Sequence, residues 1–74
     1  MTRLPMLSAR KIIQALERAG FVDNGQKGSH LYFWHPAKKL TTCVPMHGGD
    51  LKRGLMKEIL QQAGLTEEEF RKLL

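Results

Sequence analysis

Lys27-Gly28-Ser29-His30 leads directly into the aromatic and apolar run Leu31-Tyr32-Phe33-Trp34, which puts an imidazole at the start of a segment with strand character. Small residues beside such a histidine let another molecule's backbone come close, and a strand holds the ring in place. An imidazole gains or loses a proton near neutral pH, so this pattern suits proton transfer. It equally suits a histidine on a solvated strand face. A second histidine, His47, sits between Val44-Pro45-Met46 and Gly48-Gly49. It is either a second proton carrier or a polar loop residue. His35, just before Pro36 at a strand end, reads as structural.

The other reactive side chains narrow the chemistry. No Ser-His-Asp or Cys-His arrangement is recognisable, so the chain offers no strong nucleophile of its own. The three histidines and Cys43 lack paired zinc-ligand spacing, and Cys43 beside Val44 reads as a small buried hydrophobe. Gly48-Gly49 lacks the lysine and hydroxyl of a phosphate loop. The expectation is no metal and no small-molecule cofactor. One imidazole can then act only on a substrate that carries its own attacking group. RNA does, because the ribose 2′-hydroxyl lies next to the phosphodiester it can attack.

Charge points the same way. The 74-residue chain has a formal net charge of +5, and residues 1–64 hold ten of the twelve Lys and Arg against four of the seven acids, a local balance of +6. A basic body attracts polyanions, nucleic acid above all. Lys27, Lys52 and Arg53 are the candidates for engaging phosphates and steadying charge that develops on them, with Ser29 and His47 beside the backbone of a bound strand.

Elements able to position these residues are legible in outline. Ser8 can cap a helix with apolar positions Ala9, Ile12, Ile13, Leu16 and Ala19, stopped by Gly20, past which Phe21 can fold back onto Leu16. Asp50 can cap a second helix with Leu51, Leu55, Met56, Ile59, Leu60 and Ala63 inward, ending at Gly64-Leu65. Thr66 with Glu69 forms a capping-box pattern for a short third helix carrying Phe70, Leu73 and Leu74. Between the first two helices the period is near two. Asp23-Asn24-Gly25 and Pro36-Ala37-Lys38-Lys39 read as turns between three antiparallel strands, one beginning near residue 21, one at 29–35 and one at 40–45. Leu31 and Phe33 would face the helices, leaving His30, Tyr32 and Trp34 on the other side.

The expected architecture is one α+β domain over residues 1–74, and a chain this short buries only about 60% of its unfolded surface. One cysteine excludes an internal disulfide, and no charged-then-apolar leader or bilayer-length apolar run is present, so the expected location is cytoplasmic with no membrane partner.

Five motifs in this order resemble the HicA toxin family of type II toxin-antitoxin modules: Gln26-Lys27-Gly28-Ser29-His30, Phe33 with His35-Pro36, Val44-Pro45-Met46-His47, Leu51-Lys52-Arg53-Gly54-Leu55, and 59–65 ending Ala63-Gly64-Leu65. The match runs nearly end to end. The resemblance implies a double-stranded-RNA-binding-domain-like (dsRBD-like) α-β-β-β-α fold, with a three-stranded antiparallel sheet, helices on one face and a short C-terminal helix. It also implies a metal-independent ribonuclease acting on mRNA, a HicB-type antitoxin as inhibitory partner, and His30 as the catalytic residue. A non-catalytic RNA-binding module using the same basic surface, with Tyr32 and Trp34 as stacking platforms, is the alternative.

Overall fold

The computed structural model describes residues 4–46 and 48–74. Chain order is α1 (Ala9–Arg18), β1 (Val22–Lys27), β2 (His30–His35), β3 (Leu40–Pro45), α2 (Arg53–Ala63) and α3 (Glu67–Arg71). The sheet is antiparallel in the order β1-β2-β3, so β2 is central. The α+β architecture and dsRBD-like element order are those the sequence implies.

Both long helices stop by the same local chemistry. At the end of α1, Phe21 N–H donates to the Leu16 carbonyl and Gly20 N–H to that of Glu17. At the end of α2, Leu65 N–H donates to Leu60 and Gly64 N–H to Gln61. These paired bonds satisfy carbonyls that the last turn leaves open and need a residue with positive φ, here Gly20 at 101° and Gly64 at 69°. At the other end of α1, the Ser8 hydroxyl accepts from Lys11 N–H. The Thr66–Glu69 capping box is formed in both directions, at 3.1 and 2.9 Å. It starts α3, whose Phe70 is buried.

Two expectations are corrected. Asp23-Asn24-Gly25 is no turn between strands: it lies inside β1 as a bulge, where the register shifts between Asp23 and Gln26 and Gly25 N–H donates to Asp23 Oδ1 at 2.8 Å. A local Asx bond absorbs the extra residue while pairing resumes at Gln26–Leu31. Nor does Asp50 cap α2, whose cap position is Lys52, with no side-chain bond. Asp50 pairs instead with Ser8 in an isolated bridge, and Leu51, fully buried, donates its N–H to the Leu7 carbonyl. Burying Leu51 holds this stretch extended, and the helix begins after it.

Ile12, Leu16, Phe21, Phe33, Val44, Met56, Leu60 and Phe70 form the core with neighbours from every element but β1, all of whose residues are exposed. Phe33 and Val44 lie on the helix-facing side of the sheet, with Leu31 packed against them. His35 ties the far end of β2 to α1. Its Nδ1 accepts from Lys38 N–H at 3.1 Å, which leaves Nε2 to donate to the Ala19 carbonyl at 3.2 Å. The same ring meets Phe21 edge-on, with centroids 5.1 Å apart. The structural role expected of His35 is thus filled by three interactions.

Candidate active site

His30 is the first residue of β2, directly after the Gly28-Ser29 turn of the β1–β2 hairpin. Its cross-strand partners are Lys27 on one side and Pro45 on the other. Residues directly opposite in antiparallel strands point to the same face, so Lys27, His30 and Pro45 form a row across the sheet, opposite the Phe33 side. The turn is braced twice: Gln26 Nε2 donates to the Gly28 carbonyl at 3.1 Å, and Met46 N–H donates to that of Ser29. A histidine on a central strand with pairing on both flanks is held far more rigidly than one on a loop. The His30 side chain is exposed and makes no hydrogen bond to any described residue.

Helix α2 turns this exposed position into a groove. One flank of α2 passes the β3 edge and presents Leu55, Glu58 and Gln62 opposite His30, Cys43 and Pro45, enclosing about 200 Å³. A neighbouring hollow of about 330 Å³, bounded by Tyr32, Thr41 and Thr42, shares Cys43 and Gln62 with the first. The two run together along the β3 edge of the sheet. Thr42 holds α2 at this edge, its buried hydroxyl lying 3.2 Å from the Ile59 carbonyl and 3.1 Å from Gln62 Oε1.

The residues singled out from sequence are distributed unequally. Lys27 stands exposed across from His30, and Ser29 is exposed in the turn. Lys52 is exposed at the start of α2. Arg53 is half-buried, gives its Nε to the Leu4 carbonyl at 2.8 Å, and borders a separate hollow with Lys57 and Glu67 on the other flank of α2. His47 lies outside the described residues. Cys43 is a half-buried free thiol that lines the groove and is not a core hydrophobe. Glu58 and Gln62 had no local signal: only the docking of α2 on β3 brings them to His30. Among the described residues no three His, Cys, Asp or Glu side chains converge in a way that could hold a metal ion, and no helix is long and apolar enough to cross a membrane.

A family model described as the HicA toxin of bacterial toxin-antitoxin matches residues 9–65, from the first residue of α1 to the stop of α2. The chain belongs to the HicA toxin family. It is accordingly the toxin of a toxin-antitoxin system, for which an antitoxin partner is implied, and HicA toxins are known as mRNA interferases. No individual curated protein matches the sequence. The HicA match contains His30, the sheet and α2, and leaves α3 outside it.

Proposed function

We propose that this HicA toxin cleaves mRNA by histidine-assisted attack of a ribose 2′-hydroxyl on the adjacent phosphodiester, without a metal or other cofactor. The observation that carries the proposal is the exposed His30 ring at the head of the central strand, with Lys27 across from it and a groove in front. The 2′-oxygen forms a bond to phosphorus, the bond to the 5′-oxygen breaks, and the products are a 2′,3′-cyclic phosphate and a 5′-hydroxyl. His30 moves one of the two protons involved, taking that of the 2′-hydroxyl or giving one to the departing 5′-oxygen. Lys27, with Lys52 or Arg53, neutralises charge growing on the phosphoryl oxygens. Ser29 and His47 are the remaining RNA-binding candidates.

A HicB-type antitoxin inhibits by covering His30 and answering the basic side chains with acidic ones, which blocks substrate by shape and by charge. The test is digestion of labelled RNA by the native chain and by His30→Ala in excess chelator. Native protein should leave cyclic phosphate ends and fail on RNA with a 2′-deoxy sugar at the cleavage site. The variant should lose about 100-fold to 10,000-fold in rate while keeping its fold. Equal cleavage by the variant refutes the role of His30, and binding without scission by the native chain makes the protein an RNA-binding module.

A further inference from the structure

Among the described residues Tyr32 is the one Phe, Tyr or Trp lining either hollow. It lies two residues along β2 from His30, on the same face, so the two α-carbons are about 7 Å apart, on the scale of one nucleotide of extended RNA. Its side is the one away from the core, 39% of its surface is exposed, and its ring pairs with no other aromatic among the described residues. Across the hollow stands Gln62, whose amide has one end held by Thr42, itself buried. A side-chain amide has a donor end and an acceptor end, so the end that Thr42 leaves is available to a ligand at a set orientation. Gln62 also borders the His30 groove, which makes the two hollows one path.

We propose that the hollow between Tyr32 and Gln62 is a nucleobase subsite for single-stranded RNA. Tyr32 takes the face of the base next to the phosphate at His30, and the free end of the Gln62 amide reads that base's edge. This rests on the RNA-cleaving reading of His30. An aromatic face accepts any base, so Tyr32 supplies affinity, whereas a hydrogen-bonding amide distinguishes one edge from another, so Gln62 supplies preference. Lys27, on the same face beside His30, keeps the phosphate side of the path positive. A base in this hollow is also unpaired, which makes single strands the substrate.

The test compares kcat/KM and the base preference at sequenced product ends for the native chain, Tyr32→Phe, Tyr32→Leu and Gln62→Leu. Tyr32→Phe keeps the aromatic face and should stay within about 2-fold of native. Tyr32→Leu should fall by about 5-fold to 150-fold, the span of base-aromatic stacking. Gln62→Leu should retain cleavage with an altered base at one position relative to the cut. Binding separates this proposal from the catalytic one. In the His30→Ala background, an oligoribonucleotide with a single abasic ribose at that position should bind more weakly than the intact strand when Tyr32 is present and equally when it is Leu. That result supports the subsite even if the native chain proves not to cut RNA. Native rates in Tyr32→Leu, unchanged base preference in Gln62→Leu, or an abasic penalty that persists without the aromatic ring, overturn it.

Discussion

Replacing Gly20 with alanine should weaken the fold more than the same change at Gly64, although both glycines end a helix with the same pair of backbone bonds. Gly64, at φ 69°, is near the left-handed basin that an L-residue can occupy at a cost of about 1 to 2 kcal/mol. A Cβ there would come within 2.9 Å of Leu40 Cδ1, the tip of a flexible side chain that can turn aside. Gly20, at 101°, is well beyond that basin, and its Cβ would come within 2.9 Å of His35 Nε2. That ring cannot yield freely, because Lys38 N–H, the Ala19 carbonyl and the Phe21 ring all fix it. Moving it sacrifices at least one hydrogen bond, about 1 kcal/mol. Gly20→Ala should therefore cost about 2 to 3 kcal/mol, against about 1 to 2 for Gly64→Ala, from a total stability of about 4 to 11 kcal/mol for 74 residues. In thermal unfolding that is a fall of about 8 to 24 °C against about 4 to 16 °C. Because His35 sits at the opposite end of β2 from His30, RNA cleavage measured well below the melting point should be retained. Equal losses, or a larger loss at Gly64, would show that the contact with His35 does not carry the difference.

Phe70→Ala should cost about 3 to 5 kcal/mol, since it empties a buried ring site and leaves a five-residue helix with no large anchor. Amide exchange across α3 should rise in that variant, and unchanged protection there would contradict the anchoring role. Acid should act on the same helix. The Thr66 backbone N–H, and then its hydroxyl, hold the Glu69 carboxyl below the ordinary glutamate range. The ionised form is thus favoured by folding, so its contribution is present at neutral pH and is lost as pH falls from the ordinary glutamate value through the lowered one. Amides of α3 should lose protection on that descent ahead of the core, and Glu69→Ala should remove the pH dependence. Persistence of the dependence in the alanine variant would assign it to another group.

What was readable before the fold was known follows from distances along the chain. Ser8, Gly20, Gly64 and the Thr66–Glu69 pair make bonds to residues within five positions, so their roles are set by short-range spacing. Alternation along β2 likewise put Phe33 inward and His30 and Tyr32 outward, since a strand has only two faces. Asp50 and Asp23-Asn24-Gly25 each have a sound local role that pairing with another element overrides, the Ser8 bridge in one case and the ladder with β2 in the other.

The groove itself belongs to this second kind of information. An imidazole at the head of a strand beside Lys27 is inscribed in the chain. That Glu58 and Gln62 face it, and that Arg53 is turned away to hold Leu4, depends on the angle at which α2 settles on β3. Burial of Met56, Ile59, Leu60 and Ala63 and the Thr42 contacts set that angle together, and no stretch of the sequence contains such a many-body balance on its own.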